Sequence, residues 1–265
     1  MLGLQSEHFF SFFMEALIIF FITLFGMAFG SFFNVCIYRL PRKMSIAFPN
    51  SHCPNCNTPI KPYHNIPIFS YLFLRGKCHY CGAKIHWHYF LVEVITPLLF
   101  VVVYLRFGLS LLFIKYLIFV AVGLLIFFID AFQKIIPDVL SLTLIAMGWA
   151  FSLLPGSDIS LLESFLSAFL AFAVFLLTGY IFDKITKRES LGGGDIKLIA
   201  AIGSFLGALG TIFTILISSV TAIIILLLIR HDHRKVFPYG PFLIFAVFCY
   251  LLFGKLTFDF YLRLF

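Results

Sequence analysis

Eight stretches of Phe, Leu, Ile, Val and Ala run through the chain, at 12–34, 89–106, 111–130, 139–154, 161–182, 195–210, 212–229 and 241–258. A helix needs about 20 apolar residues to cross the roughly 30 Å of bilayer hydrocarbon, and fewer where its neighbours shield it. The pattern predicts an all-α polytopic membrane protein with about eight transmembrane helices. One interval breaks it. Across 39–88, Pro, Cys, His, Asn and Lys replace the Phe and Leu, and Pro41, Pro49, Pro54, Pro59, Pro62 and Pro67 argue against a long helix there. The chain thus reads as a first transmembrane helix at 1–38, a small loop module at 39–88 and a helical bundle at 89–265.

Composition agrees with this reading. The chain is 62% hydrophobic and 12% charged, with 37 Phe, which sets it apart from soluble domains. Its first apolar run has no Lys or Arg before Arg39 and is longer than the ~7–15 apolar residues of a signal peptide, so it is expected to be retained.

Charge supplies an orientation. With eight spans, one face of the membrane carries Arg39, Arg42, Lys43, Lys61, Arg75, Lys77, Lys84, Lys134, Lys184, Lys187, Arg188, Arg230, Arg234 and Lys235. The other carries only Arg106, Lys255 and Arg263, while Lys115 and Lys197 fall within spans. Fourteen against three is a strong positive-inside asymmetry, which makes loop 39–88 cytoplasmic and puts both termini outside. The net charge of +7 follows from that topology, and its partner is the lipid bilayer rather than nucleic acid.

Within the loop stand Cys53-Pro-Asn-Cys56 and Cys78-His-Tyr-Cys81. Two C-x-x-C pairs let four thiolates converge on one tetrahedral ion, and Gly82 tolerates the turn after the second pair. Two disulfides are the competing reading, but a cytosolic loop is a reducing environment. Zinc at Cys53, Cys56, Cys78 and Cys81 is the expectation, because a metal would hold together a loop with little core of its own. His52, His64, His79, His86 and His88 are read as surface residues, and Cys36 and Cys249 as small packing residues.

Most of the twelve acidic residues have a bland explanation. Glu7, Asp158, Glu163 and Asp259 belong to outer, solvated ends. Asp183, Glu189 and Asp232 sit among basic residues, and Glu15 and Glu93 lie near the starts of their runs. Asp130 and Asp195 differ, because a carboxylate inside a membrane is costly and marks a functional site by default. The third span ends at Asp130 and the sixth begins at Asp195, so both arrive at the same membrane level. Two carboxylates sharing one proton are the working part of an aspartic protease: one activates water and the other polarises the scissile carbonyl. Gly192, Gly193 and Gly194 would let an extended substrate backbone approach. Taken alone, "GGGD" also reads as a helix N-cap. Asp138, after Pro137, ranks third, with helix capping as its explanation.

Taken together, the motifs resemble those of the bacterial type IV prepilin peptidases, bifunctional leader peptidase/N-methyltransferases. The resemblance runs through "FGSFFNVCIYRLP" at 29–41, "CPNC" at 53–56, "NIPIFSYLFLRGKCHYCGAKI" at 65–85 and "YFLVEVIT" at 89–96. It continues through "IDAFQKIIPD" at 129–138, "GGGDIKL" at 192–198 and "PYGPFL" at 238–243. It implies a Gly-x-Gly-Asp intramembrane aspartic protease of the bacterial inner membrane that cuts prepilins and pilin-like secretion proteins on the cytoplasmic side after a glycine. It also implies methylation of the new N-terminal residue, usually Phe, with S-adenosylmethionine as donor. By position the catalytic pair is Asp130 and Asp195, the cysteine quartet is the one above, and Gly76 and Lys77 match a segment associated with methylation. Association with pilus or type II secretion machinery is a further implication. The alternatives are a peptidase without methyltransferase activity, and a membrane metal-binding or transport protein. The first conflicts with the large first loop, and the second leaves Asp130 and Asp195 unexplained.

Overall fold

A computed structural model describes residues 2–187, 191–229 and 237–264, with side chains described over 10–187, 191–228 and 237–254. Arg188, Glu189, Arg230, Asp232, Arg234 and Lys235 lie outside the described residues, as do the side chains of Glu7, Lys255, Asp259 and Arg263. The helices are α1 (Leu2–Arg39), α2 (Phe69–Phe73), α3 (Trp87–Phe107), α4 (Leu111–Gln133), α5 (Asp138–Ser152), α6 (Leu161–Thr186), α7 (Gly193–Ile229) and α8 (Gly240–Leu264). Five of them, α1, α3, α4, α6 and α7, are long and apolar enough to cross a membrane, while α5 and residues 240–254 of α8 are apolar but shorter. The protein is all-helical and multi-pass. Among the described residues, β pairing is confined to two isolated bridges, His52 with Pro59 and Lys77 with Lys84.

The runs at 195–210 and 212–229 form two helices, labelled together as α7, that are separated by a kink at Gly207 (φ 68, ψ −172). That backbone conformation costs glycine little and would strain any other residue, so the interruption falls there rather than at the expected 211.

Two compact units make up the chain, Met1–Phe113 and Ile114–Phe265. In the first, α1 packs on α3 through two glycines. A Cβ on Gly26 would come 2.5 Å from Pro97 Cα, and one on Gly30 would come 2.9 Å from Glu93 Cα. Helices in lipid gain nothing from burying apolar surface against each other, so close backbone approach over small residues has to supply the contact.

In the second unit α5, α6 and α8 all pack on α7. Small residues again set the spacing. A Cβ on Gly203 of α7 would lie 2.8 Å from the Ser167 carbonyl of α6. Ser164 Oγ donates to the Ser204 carbonyl at 2.6 Å. From α4, Phe119 meets Phe205 edge-on, with ring centroids 4.9 Å apart.

Both lysines within spans have partners. Lys115, 1% exposed, pairs with Asp158, which also accepts from the Tyr116 hydroxyl. Solvation at an outer end therefore does not account for Asp158; neutralising a buried ammonium does. Lys197 donates to Asp138 Oδ1 at 2.6 Å.

The Gly203–Ser167 contact generates a test. Gly203→Ala must push α6 and α7 apart, and overpacking of this kind costs about 1–3 kcal/mol. Thermal unfolding in detergent should show a lowered midpoint for the variant; an unchanged midpoint would mean that the helices do not approach this closely.

Candidate active site and metal centre

Asp130 sits near the C-terminal end of α4 and Asp195 in the first turn of α7. The fold brings the backbone beside each of them to one side chain, Ile136, which lies against Gly194, next to Asp195, and against Gly240, next to the Asp130 carboxylate. Asp130 is 4% exposed. Its Oδ2 accepts the Gly240 N–H at 2.9 Å, from the first residue of α8. A helix N-terminus has unsatisfied N–H groups and a positive dipole end, so it is a natural neighbour for a carboxylate. A Cβ on Gly240 would lie 2.8 Å from Asp130 Oδ2, so only glycine fits against the carboxylate there.

Asp195 Oδ1 is buried without a hydrogen-bond partner among the described residues. Asp195 lies inside the first turn of α7 and not at the capping position before it, which removes the N-cap reading of "GGGD". The three glycines before it have different surroundings. A Cβ on Gly192 would come 2.9 Å from Asp195 Oδ2, and one on Gly194 would come 2.9 Å from Ile136 Cβ, whereas Gly193 faces open space. Two of them thus make room for the site's own atoms, and only the middle one leaves space beside it.

Ile136 lies in the connection between α4 and α5 and touches both glycine segments. Its Cδ1 would be 3.2 Å from a Cβ on Gly240. At the far end of the connection Asp138, the first residue of α5, makes a partly exposed ion pair with Lys197, two residues beyond Asp195. Asp138 stands in the first turn of α5 and accepts from Lys197, a partner that capping alone did not suggest. Neither Gly240 nor Ile136 stood out in the sequence. The tripeptide Pro238-Tyr239-Gly240 ahead of an apolar run was the one local signal for the former; nothing local pointed to the latter.

The first unit holds a different constellation. The sulfurs of Cys53, Cys56, Cys78 and Cys81 all lie within 4.8 Å of one another, with Cys53 Sγ 3.9 Å from Cys81 Sγ. They converge as one quartet, the arrangement of a tetrahedral metal site with metal–sulfur bonds of about 2.3 Å, so the residues could hold a metal ion. Two equivalent turns build it. Cys53 N–H donates to Thr58 O and Asn57 N–H to Cys53 O; Cys78 N–H donates to Ala83 O and Gly82 N–H to Cys78 O. Each turn closes on a residue with positive φ, Asn57 at 53° and Gly82 at 71°. Asn57 is the counterpart of Gly82 that the spacing alone did not reveal; asparagine is among the few residues that visit this region readily. Thr58 hydrogen bonding lowers the Cys56 thiol to about 6, backbone hydrogen bonds from the Cys81 turn lower Cys78, and burial pushes Cys53 up to about 11. Cys56 is thus readily available as a thiolate at neutral pH.

Gly76 and Lys77 lead into the second turn. Gly76 (φ 64) is buried against Tyr71, its N–H donating to Tyr71 O and its C=O accepting from Ile85 N–H. Both of its backbone groups are therefore used within the loop. Lys77 is exposed. Upstream, Ile68 adopts positive φ (67°), and its N–H donates to Glu93 Oε2 at 2.6 Å. This gives Glu93 the task of tying the loop to α3.

With the geometry described, similarity to known proteins can be weighed. Residues 24–107 match a model described as the bacterial Peptidase A24 N-terminal domain, and residues 117–227 match one described as the type IV leader peptidase family. Relatives named prepilin leader peptidase/N-methyltransferase align along most of both chains. The one from Neisseria gonorrhoeae is 34% identical over 82% of this chain and 84% of its own. Those from Aeromonas hydrophila and Klebsiella pneumoniae are 35% and 36% identical, over 88% and 76% of this chain and 90% and 91% of their own. No solved structure matches the chain. Two adjoining family models and relatives of about one-third identity along nearly the whole length lead to one conclusion: this chain belongs to the type IV leader peptidase family.

Proposed function

We propose that this protein is a membrane aspartic endopeptidase that removes the leader from type IV prepilins and pilin-like proteins after a glycine, and then N-methylates the new N-terminal residue. The observation that carries the reading is that Ile136 touches the glycines beside both Asp130 and Asp195, two acids at helix ends and far apart in sequence. With one proton between the pair, the charged carboxylate takes a proton from a water molecule as that water attacks the scissile carbonyl. The protonated partner donates a hydrogen bond to the carbonyl oxygen, where charge develops. Gly240 N–H holds the Asp130 carboxylate in one orientation throughout. Asp195 Oδ1, which has no hydrogen-bond partner among the described residues, keeps its acceptor capacity for the reaction.

The cysteine quartet takes a structural zinc, because four thiolates with no carboxylate or water position make a closed site. The segment 39–88 is then a methyltransferase-associated module, 1–38 the first transmembrane helix and 89–265 the peptidase bundle. S-adenosylmethionine supplies the methyl group. Gly76 shapes the turn, and Lys77 offers the exposed charge that faces cofactor or substrate. The basic asymmetry of the loops orients the catalytic end and the cysteine module toward the cytoplasm, in the bacterial inner membrane. Work on pilin-like substrates implies contact with pilus or type II secretion machinery.

Purified protein in detergent, incubated with a prepilin and S-adenosylmethionine, tests both activities. Asp130→Asn and Asp195→Asn should each lose cleavage by on the order of a thousandfold, within the range for removing a positioned acid or base. Both should still methylate a substrate supplied already cut. Full-rate cleavage by either variant would remove the dyad. Metal analysis tests the quartet: Cys53→Ser should lose most of the zinc found in the unaltered protein, and unchanged content would remove that site.

A further inference from the structure

Ile136 is the side chain through which the α4–α5 connection touches the site. Its Cβ fills the position of a side chain on Gly194, immediately before Asp195. Its Cδ1 reaches to the glycine whose N–H holds Asp130. One branched residue therefore abuts the backbone next to both carboxylates. Its placement is fixed from both sides. Lys134, two residues before, turns the chain at positive φ (57°), and Pro137, directly after, restricts residue 136 to extended conformations. Asp138 then pairs with Lys197 on α7. A β-branched side chain held in this way has little freedom to swing aside.

We infer that Ile136 is a specificity-determining residue: it occupies the room that a side chain on the last leader residue would need, so the cut falls after glycine. The inference rests on the peptidase reading above. A peptide cut by the pair must bring its scissile carbonyl between Asp130 and Asp195, within a few ångströms of the two glycines that Ile136 covers. The carbonyl belongs to the last leader residue, so that residue's Cα lies in the same narrow space. A Cβ added there has to displace Ile136, whose fixed connection resists, whereas glycine needs no displacement. Gly193, which faces open space, lies on the other side of Gly194 and leaves a path for the backbone itself.

The experiment compares kcat/KM on two prepilins that differ only in glycine or alanine as the last leader residue, for the unaltered enzyme, Ile136→Val and Ile136→Ala. A methyl group in a shaped pocket is worth about 10–200-fold in discrimination. The glycine-to-alanine ratio should fall by about tenfold or more in Ile136→Ala and by less in Ile136→Val, with the glycine substrate still cut by both. The ratio is insensitive to the fraction of enzyme that is correctly folded. An unchanged ratio overturns the inference. So does loss of glycine-substrate cleavage in both variants, since a side chain that only limits room is not needed to cut the smaller substrate. Asp195→Asn, run alongside, separates the two claims: if it cleaves, the peptidase reading fails, and if it is inactive while the ratio does not move, only the role of Ile136 fails.

Discussion

The account depends on burying two carboxylates side by side in a bundle that otherwise offers them almost nothing. Apolar helices provide no donors except at their ends. The fold answers by starting α8 at Asp130 and by placing Asp195 in the first turn of α7, so that helix beginnings surround the acids. Everything local to the site serves that arrangement. Gly192 and Gly240 are bare because the carboxylates occupy the space their side chains would need. Gly194 is bare because Ile136 does. The same economy of small residues lets α6 approach α7 and α1 approach α3, where lipid provides no hydrophobic force to draw helices together.

Buried charges elsewhere find complementary partners: Lys115 pairs with Asp158, and the Arg39 guanidinium donates to the Ser45 and Pro49 carbonyls. Asp130 and Asp195 instead bring two like groups to the surroundings of one side chain, Ile136. A carboxyl pair of that kind is costly for stability and useful for moving a proton, which is why its position carries more functional weight than any other polar feature of the bundle.

Much of this was legible before the fold was known, and the reasons are physical. Apolar runs in a membrane protein have one outcome, so the helices fell near the expected positions. Within 195–229 only the boundary moved, to Gly207, because glycine takes that backbone conformation at little cost. Asp130 and Asp195 were visible because ionisable residues in apolar runs are rare, and counting spans placed them at one level. The cysteine quartet was visible from its spacing. Pairings across the chain were not. The lysine partners of Asp138 and Asp158 were hidden, since neither is near in sequence, and Asp158 looked like a solvated end. Ile136 is one isoleucine among many, and only the folded chain brings it against Gly194 and Gly240.

The central claim is that Asp130 and Asp195 act as a unit, and a double-variant comparison measures this most directly. Single-turnover cleavage with enzyme in excess should be compared for Asp130→Asn, Asp195→Asn and the double variant. Groups that perform one step together are strongly non-additive, so the double variant should cleave no more slowly than the worse single one. Losses that multiply, with the double variant slower by the product of the single effects, would show two independent contributions and contradict the account.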